Sequence, residues 1–247
     1  MVIDFHSHIM PKVDDGAKSL EMSLEMMKKS AEMGVDTIVS TSHCYPYSEE
    51  DIERFLSKRK SAFERIAEFC DVPKIRLGCE VHLTCDISRF SNIEKLCIEN
   101  TRYMLVEMPV SNWDENQVEY IYRLTAKGIV PIIAHDERNA HQKHELRQMI
   151  YDLDVLAQLN APSLFIPRFK KEIDNLMKRG IVHVLGTDMH NMDTRKPCFA
   201  DAKKALDKRY GKKCWEYFMN NSERILNNEE ISYKDFQYFK RQRFWRE

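Results

Sequence analysis

Residues 180–190 read Gly180-Ile-Val-His-Val-Leu-Gly-Thr-Asp-Met-His190, and this stretch decides the fold. A charged helical segment ends in glycine, a short β-branched apolar run follows, and polar side chains come directly after the run. Glycine at a helix C-terminus followed by a buried strand is typical of the helix-to-strand loop in a βα repeat. The same order recurs from Gly34 to His43 and from Gly128 to His135.

Four more apolar runs fit the strand pattern, at residues 2–6, 75–81, 103–108 and 155–160. Amphipathic helices are predicted at residues 19–33, 49–70, 116–127, 170–179 and 201–220. Seven strands that alternate with helices predict an α/β fold with a largely parallel sheet, most economically closed as a barrel. Since no linker or low-complexity segment divides the chain, we expect residues 1–247 to form a single domain.

Composition narrows the class of protein. The 247 residues include 38 Lys and Arg against 39 Asp and Glu, a net charge of −1 that argues against nucleic-acid binding. No apolar run approaches the roughly 20 residues of a membrane span, and the N-terminus does not resemble a signal peptide. We therefore expect a cytoplasmic protein whose seven cysteines are reduced. No two of these cysteines have the C-x-x-C spacing of a zinc or thioredoxin-like motif.

Polar side chains collect where the predicted strands end, and the C-terminal ends of barrel strands meet on one face. His6 and His8 are two residues apart in a strand and point to the same side, and the same spacing relates Asp188 to His190. Gly16 allows a turn that returns Asp15 toward them. The candidate ligands are His6, His8, Asp15, His43, Glu80, Glu107, His135, Asp188 and His190.

Nine ligands are too many for one metal ion and suit a cluster of two or three ions with a shared carboxylate. Imidazole and carboxylate without thiolate indicate manganese, iron, zinc or magnesium. Cys44 follows His43 and is expected to point elsewhere. The other histidines are interpreted as structural or solvated: His82, His141, His144 and His183.

Arg138 and Arg195 follow His135 and His190 in loops that leave two ligand-bearing strands. A guanidinium group beside several cations favours a phosphate or another oxyanion. We therefore expect both arginines to reach the metal pocket.

Seven blocks follow one another along the chain: residues 2–19, Thr41-Ser42-His43, residues 78–81, residues 102–107, residues 134–138, residues 158–161 and residues 187–191. Together they resemble bacterial capsule-locus protein tyrosine phosphatases of the CpsB/CapC type, within the polymerase and histidinol phosphatase (PHP) superfamily. The resemblance implies a distorted seven-stranded βα barrel with three divalent ions, often manganese. It implies one ion at His6, His8, Glu80 and Asp188, a second at Glu80, Glu107 and His135, and a third at Asp15, His43 and His190.

The resemblance also implies hydrolysis of phosphotyrosine on a membrane-associated tyrosine autokinase that controls capsular or exopolysaccharide synthesis. Arg138 and Arg195 would bind the phosphoryl oxygens, and either His43 or a water molecule would protonate the leaving group. Three alternatives stay open: a phosphatase of the histidinol phosphate type, a phosphodiesterase, and a non-catalytic scaffold.

One stretch of the sequence has the residue spacing of a different phosphatase class. Cys70 to Arg76 has the C-x5-R spacing of cysteine-dependent tyrosine phosphatases, but Pro73 removes a backbone donor and the stretch has no glycine, so we reject that site.

The aromatic residues Tyr45, Tyr47 and Trp113 follow strands and are expected to stack on the phenyl ring of the substrate, with little demand on flanking sequence. The basic aromatic tail, residues 231–247, is expected to pack on the barrel, with a membrane surface or a partner as alternatives.

Overall fold

Nine short strands and seven α-helices form the α/β fold in the computed structural model, which describes residues 1–69 and 73–231. The strands are β1 (Ile3–Ser7), β2 (Thr37–Ser40), β3 (His43–Cys44), β4 (Lys74–Leu77), β5 (Glu80–His82), β6 (Tyr103–Glu107), β7 (Val130–Ile133), β8 (Leu156–Asn160) and β9 (Val184–Gly186). The helices are α1 (Leu20–Glu32), α2 (Glu49–Ala67), α3 (Glu115–Ala126), α4 (His144–Tyr151), α5 (Lys170–Arg179), α6 (Phe199–Tyr210) and α7 (Lys212–Leu226).

All the paired strands are parallel, in the orders β1-β2-β4 and β3-β5-β6-β7-β8-β9. Only Thr41 and Ser42 separate β2 from β3, and only Gly78 and Cys79 separate β4 from β5. Beyond β9, the Asp188 N–H donates to the His6 carbonyl at 2.7 Å. The parallel sheet is therefore curled, and the prediction of an α/β fold with a largely parallel sheet is confirmed.

The helix boundaries follow from local sequence. Ser19 and Ser48 accept a backbone hydrogen bond at the starts of α1 and α2. Gly34, Gly128 and Gly180 all have positive φ, which confirms the predicted helix-to-strand glycines.

One expectation about the helices was wrong, and one helix was not predicted. The predicted helix over residues 201–220 is two helices, α6 and α7, because Gly211 adopts φ +86° between them. Helix α4 is absent from the sequence prediction.

A cluster of buried apolar side chains lies on the inner face of the curled sheet. Alternate residues of several strands contribute to it, including Phe5, Leu105 and Val184, and Ile225 of α7 packs against it. Glu80 pairs with Leu105 across neighbouring strands, so its side chain lies on this same face. The inner face thus carries apolar side chains along its length and Glu80 close to its C-terminal edge.

A bulge in β1 places the first histidine on that inner face. Asp4 pairs with Ile38 and Ser7 pairs with Ser40, so β1 has one residue more than β2 over this stretch. An extra residue breaks the strict alternation of side chains. Phe5 can therefore belong to the inner cluster while His6, the next residue, contacts Glu80.

Two sequence features lie outside the described residues. These are Cys70, with the rejected C-x5-R spacing, and the tail from Tyr233 to Glu247. The six cysteines that are described are all free thiols, as expected. None of the helices in the described ranges combines the length and hydropathy needed to cross a membrane.

We expect Gly186→Ala to lower the free energy of unfolding by roughly 1–3 kcal/mol, the usual cost of overpacking. An added Cβ would lie 2.4 Å from the His6 Cβ and 2.7 Å from its backbone nitrogen, where β9 meets β1. Urea unfolding of both proteins measures the difference. Gly78→Ala is the control, because its Cβ would meet Ile98 at 3.3 Å and no closer atom. Equal stability of the Gly186→Ala and wild-type proteins would contradict this close approach.

Candidate metal centre

The nine candidate ligands converge at the C-terminal edge of the sheet. Seven of them form three overlapping groups, and within each group one ligand atom from each residue lies within 4.8 Å of the others. The groups are His6, His8 and Glu80; His43, Glu80 and Glu107; and His8, Asp15, His43 and His190. His135 and Asp188 adjoin the first two groups. The structure thus brings together residues from the two ends of the sequence, with no thiolate among them.

The carboxylate of Glu80 is at the centre of these groups and is fully buried. One of its oxygens lies 3.2 Å from His6 Nε2 and 3.1 Å from His43 Nδ1, and the other lies 2.8 Å from His135 Nε2. Burial alone would raise the pKa of Glu80, but the charge of His6 and the hydrogen bonds from these histidines hold it well below its ordinary range. Glu80 is therefore an anionic group shared between the histidines.

Three histidines are oriented by a hydrogen bond at one ring nitrogen, which leaves the other directed at the cluster. Nδ1 lies 3.0 Å from Gln158 Oε1 in His6, 2.7 Å from Asp14 Oδ2 in His8, and 3.0 Å from the Asp188 carbonyl in His190. An acceptor at Nδ1 holds a proton there, so that the ring in its neutral form presents the Nε2 lone pair, the usual arrangement in metal-binding histidines.

The donor atoms fit divalent metal ions. The Nε2 atom of His190 is buried and makes no hydrogen bond within the described part of the chain. Burial, with the positive charges of His8 and Arg195, lowers the pKa of His190 to about 4, so its ring is neutral at pH 7. His6 Nε2 and His8 Nε2 are 3.1 Å apart, close to the separation expected of two ligands that are each about 2.1 Å from one metal.

Both predicted arginines reach the site through Asp188. Arg138 Nη2 donates to one carboxylate oxygen of Asp188 at 2.8 Å, and Arg195 Nη2 donates to the other. The Asp188 side chain is 3% exposed, whereas the two arginine side chains are 42% and 38% exposed. The guanidinium groups therefore lie at the mouth of the site, between the buried ligands and solvent.

Two candidate ligands have a left-handed backbone, with φ of 34° at His135 and 54° at Asp188. Such a conformation is uncommon for residues other than glycine and often marks a functional constraint. Backbone hydrogen bonds hold both residues: His135 N–H donates to Gln158 Oε1 at 2.8 Å, and Asp188 N–H donates to His6. Each turn directs the side chain back over the end of the sheet.

The residues that position the candidate ligands were not predicted from the sequence. Asp14 pairs with His8 and also accepts the His43 N–H at 2.8 Å, whereas its neighbour Asp15 is the residue predicted from the same turn. Gln158 contacts both His6 and His135. The fully buried Asp4 accepts the Thr187 N–H at 2.8 Å, and burial raises its pKa to about 6. In the sequence, the role of Asp14 is indicated only by its position next to the predicted ligand Asp15.

The structure revises two other expectations, those for Trp113 and His82. Trp113 is buried and its Nε1 donates to the Pro109 carbonyl at 2.9 Å, so it packs its loop and does not line the pocket. His82, assigned no role in the site, lies 3.0 Å from Glu107 through Nδ1. Tyr45 remains beside the site, with its ring 5.6 Å from His43 and 5.3 Å from His82, and is 49% exposed.

Cys44 is buried among apolar side chains of the core. This position agrees with the expectation that Cys44 points away from the ligands. Tyr47 is 58% exposed on the same loop as Tyr45.

Similarity to known proteins extends over almost the whole chain. Residues 2–227 match the family described as capsular polysaccharide synthesis, CpsB/CapC. The chain is 34% identical to the tyrosine-protein phosphatase CpsB of Streptococcus pneumoniae, over 93% of this chain and 100% of that protein. It is 28% identical to the tyrosine-protein phosphatase YwqE of Bacillus subtilis, over 99% of both chains.

Among solved structures, the chain is similar to one from work on YwqE from Bacillus subtilis and CpsB from Streptococcus pneumoniae, described as unique metal-dependent tyrosine phosphatases. The TM-score is 0.76 at 25% identity, over 94% of this chain and 96% of that one. An amidohydrolase from Mycoplasma synoviae, at a TM-score of 0.51 and 13% identity, shares the fold. The matched family region includes all nine candidate ligands and both arginines, and the chain belongs to the CpsB/CapC family of capsular polysaccharide synthesis proteins.

Proposed function

We propose that this protein is a metal-dependent phosphatase that hydrolyses phosphotyrosine in proteins. The observation that carries the proposal is the set of three overlapping ligand groups beneath two partly exposed arginines. Buried metal ligands beside accessible guanidinium groups suit a phosphate ester whose phosphoryl group enters while the rest of the substrate stays outside. The names of the relatives, tyrosine-protein phosphatases, support the same substrate.

We propose three divalent ions at this centre, with manganese as the metal. His6, His8, Glu80 and Asp188 would hold one ion, and Glu80, Glu107 and His135 a second. Asp15, His43 and His190 would hold the third. Bound ions would supply Lewis acidity and activate water as a nucleophile. The hard or borderline donors and the shared position of Glu80 support this assignment.

The protein's own side chains would then bind and orient the phosphate. Arg138 and Arg195 each present N–H donors at the mouth of the site and would stabilise charge on the phosphoryl oxygens. His43 is 15% exposed and lies next to Tyr45 at the same opening. Either His43 or a metal-bound water molecule would donate a proton to the departing phenolate oxygen, and Tyr45 would contact the phenyl ring.

We further propose that the nine strand segments occupy seven positions of a distorted barrel, with β2 and β3 sharing one position and β4 and β5 another. The hydrogen bonds between the ends of β1 and β9 support closure. The family match over residues 2–227 supports a single domain. The capsular description of the family supports a cytoplasmic role in dephosphorylating a membrane-associated tyrosine autokinase.

Chelation should abolish phosphatase activity, and added manganese should restore it. The reason is that the side chains of the site cannot replace the bound ions in activating water. Elemental analysis alongside p-nitrophenyl phosphate hydrolysis measures both quantities. Glu80→Gln should lose bound metal and activity together, since Glu80 is the shared carboxylate. Full activity of a preparation shown to be metal-free would rule out the proposed centre.

Arg138→Ala and Arg195→Ala should each lower kcat/KM by about 10²-fold, the usual cost of removing one oxyanion donor. Their manganese content should stay at the wild-type level, because the arginines bind phosphate and not metal. Arg138→Lys should recover only part of the activity, since it keeps the charge without the planar fork. Loss of manganese in parallel with activity would instead show that the arginines serve to hold Asp188.

A panel of matched phosphotyrosine and phosphoserine peptides, histidinol phosphate and a dinucleotide tests the substrate class. We expect the highest kcat/KM for the phosphotyrosine peptide, because Tyr45 offers a ring to stack against. Tyr45→Ala should reduce the preference by roughly two- to tenfold, corresponding to about 0.5–1.5 kcal/mol for an aromatic pair.

Tyr122→Ala is the matched control for this test, since Tyr122 is a similarly exposed tyrosine on α3. Equal kcat/KM for phosphoserine and phosphotyrosine would refute the assigned substrate. A maximum for histidinol phosphate or for the dinucleotide would assign the protein to one of the alternative activities.

A further inference from the structure

A groove of about 410 Å³ lies beside Arg138, outside the metal centre. It is lined by Arg138, Pro162, Ser163, Ile166, Arg168 and Phe169. Arg138 also donates to Asp188 within the site, so one side chain borders both the groove and the metal centre. A polypeptide whose phosphorylated side chain enters the centre would therefore have neighbouring residues within reach of this groove.

The groove is fixed in shape by a buried carboxylate. Glu137 is fully buried and precedes Arg138 in the chain. Its two oxygens accept hydrogen bonds from Ser163 Oγ at 2.6 Å and from the Asn160 N–H at 3.3 Å. Glu137 thus fastens the loop after β8, which forms most of the groove, to the turn that carries Arg138.

The groove presents positive charge that the protein itself does not neutralise. Arg168 is exposed, and its guanidinium carbon lies 4.8 Å from the centroid of the Phe169 ring, which holds it in place. It forms no ion pair with a carboxylate of residues 1–69 or 73–231. Lys171, three residues further along, is also exposed. Such a surface favours an acidic side chain on the ligand.

Exposed apolar side chains are concentrated on the same face. Among the nine large exposed apolar side chains of the described residues, five lie in loops that follow strands β3, β6 and β8. These are Tyr45, Tyr47, Val110, Phe165 and Ile166. Ile166 lines the groove itself and is 36% exposed. Apolar side chains that cluster around the opening of a site indicate contact with a protein partner.

We propose that this groove binds the segment of the substrate polypeptide next to phosphotyrosine and selects an acidic residue accompanied by an apolar one. The inference rests on the proposed function and deepens it. It also revises the expectation, drawn from the sequence, that flanking residues matter little. Arg168 is then a specificity-determining residue that takes no part in the hydrolysis itself.

The test uses the full-length, manganese-loaded protein and three phosphotyrosine peptides that differ only in flanking glutamate, alanine or lysine. The wild type should show a KM roughly two- to fivefold lower for the glutamate peptide than for the alanine peptide, as for a partly exposed ion pair. The lysine peptide should bind most weakly. Arg168→Ala should remove the difference, and Arg168→Glu should reverse its sign.

The control is Arg65→Ala, which removes an exposed arginine from the last turn of α2 and should keep the wild-type preference. Hydrolysis of p-nitrophenyl phosphate, which has no flanking residues, should be the same in all variants. Equal KM for the three peptides, or a preference that survives Arg168→Ala, would overturn the groove assignment while leaving the phosphatase proposal intact. Failure of the wild type to hydrolyse any phosphotyrosine peptide would overturn both.

Discussion

The buried carboxylate of Glu80 is the constraint on which the rest of the site depends. An ionised carboxylate removed from water is costly unless charges and hydrogen bonds compensate it. Here four imidazoles from three separate parts of the chain surround it: His6 and His8, His43, and His135. Because each imidazole must approach to about 3 Å, the ends of the strands that hold them have to meet at one point.

The interruptions of two adjacent strands make that meeting possible. The extended strand is interrupted at Thr41–Ser42 between β2 and β3, and at Gly78–Cys79 between β4 and β5. The two interruptions lie side by side in the sheet. The freed backbone groups remain bonded: Glu80 N–H donates to the Thr41 carbonyl at 3.0 Å, and Arg59 donates to the Gly78 carbonyl at 2.7 Å. The fold thus bends its sheet beside Glu80 without leaving these polar groups unpaired.

The sequence predicts which residues gather at the site better than it predicts how they are held. Strand ends are marked by short apolar runs, and in a parallel barrel such ends share one face, so His6 and His190 are expected together although they are 184 residues apart. The partners of these ligands carry no comparable mark. Asp14, Gln158 and Asp4 act through hydrogen bonds across the fold, and their roles depend on distances that no local pattern contains. Trp113 shows the converse, since a loop aromatic that is expected in the pocket is buried beneath its own loop.

The face that carries the site has to bury polar side chains and also to expose apolar ones, and both requirements lower the stability of the fold. The ligand cluster requires buried polar groups and strained backbone at His135 and Asp188, which cost stability. Binding a protein substrate requires apolar side chains that remain in water, which also costs stability and solubility. Both are accommodated in the loops after the strands, where they do not interrupt the apolar packing of the sheet's inner face. Arg138 connects the two regions, since its guanidinium group donates to the buried Asp188 carboxylate and also borders the groove outside. The geometry of hydrolysis and the choice of substrate are consequently linked through a single side chain.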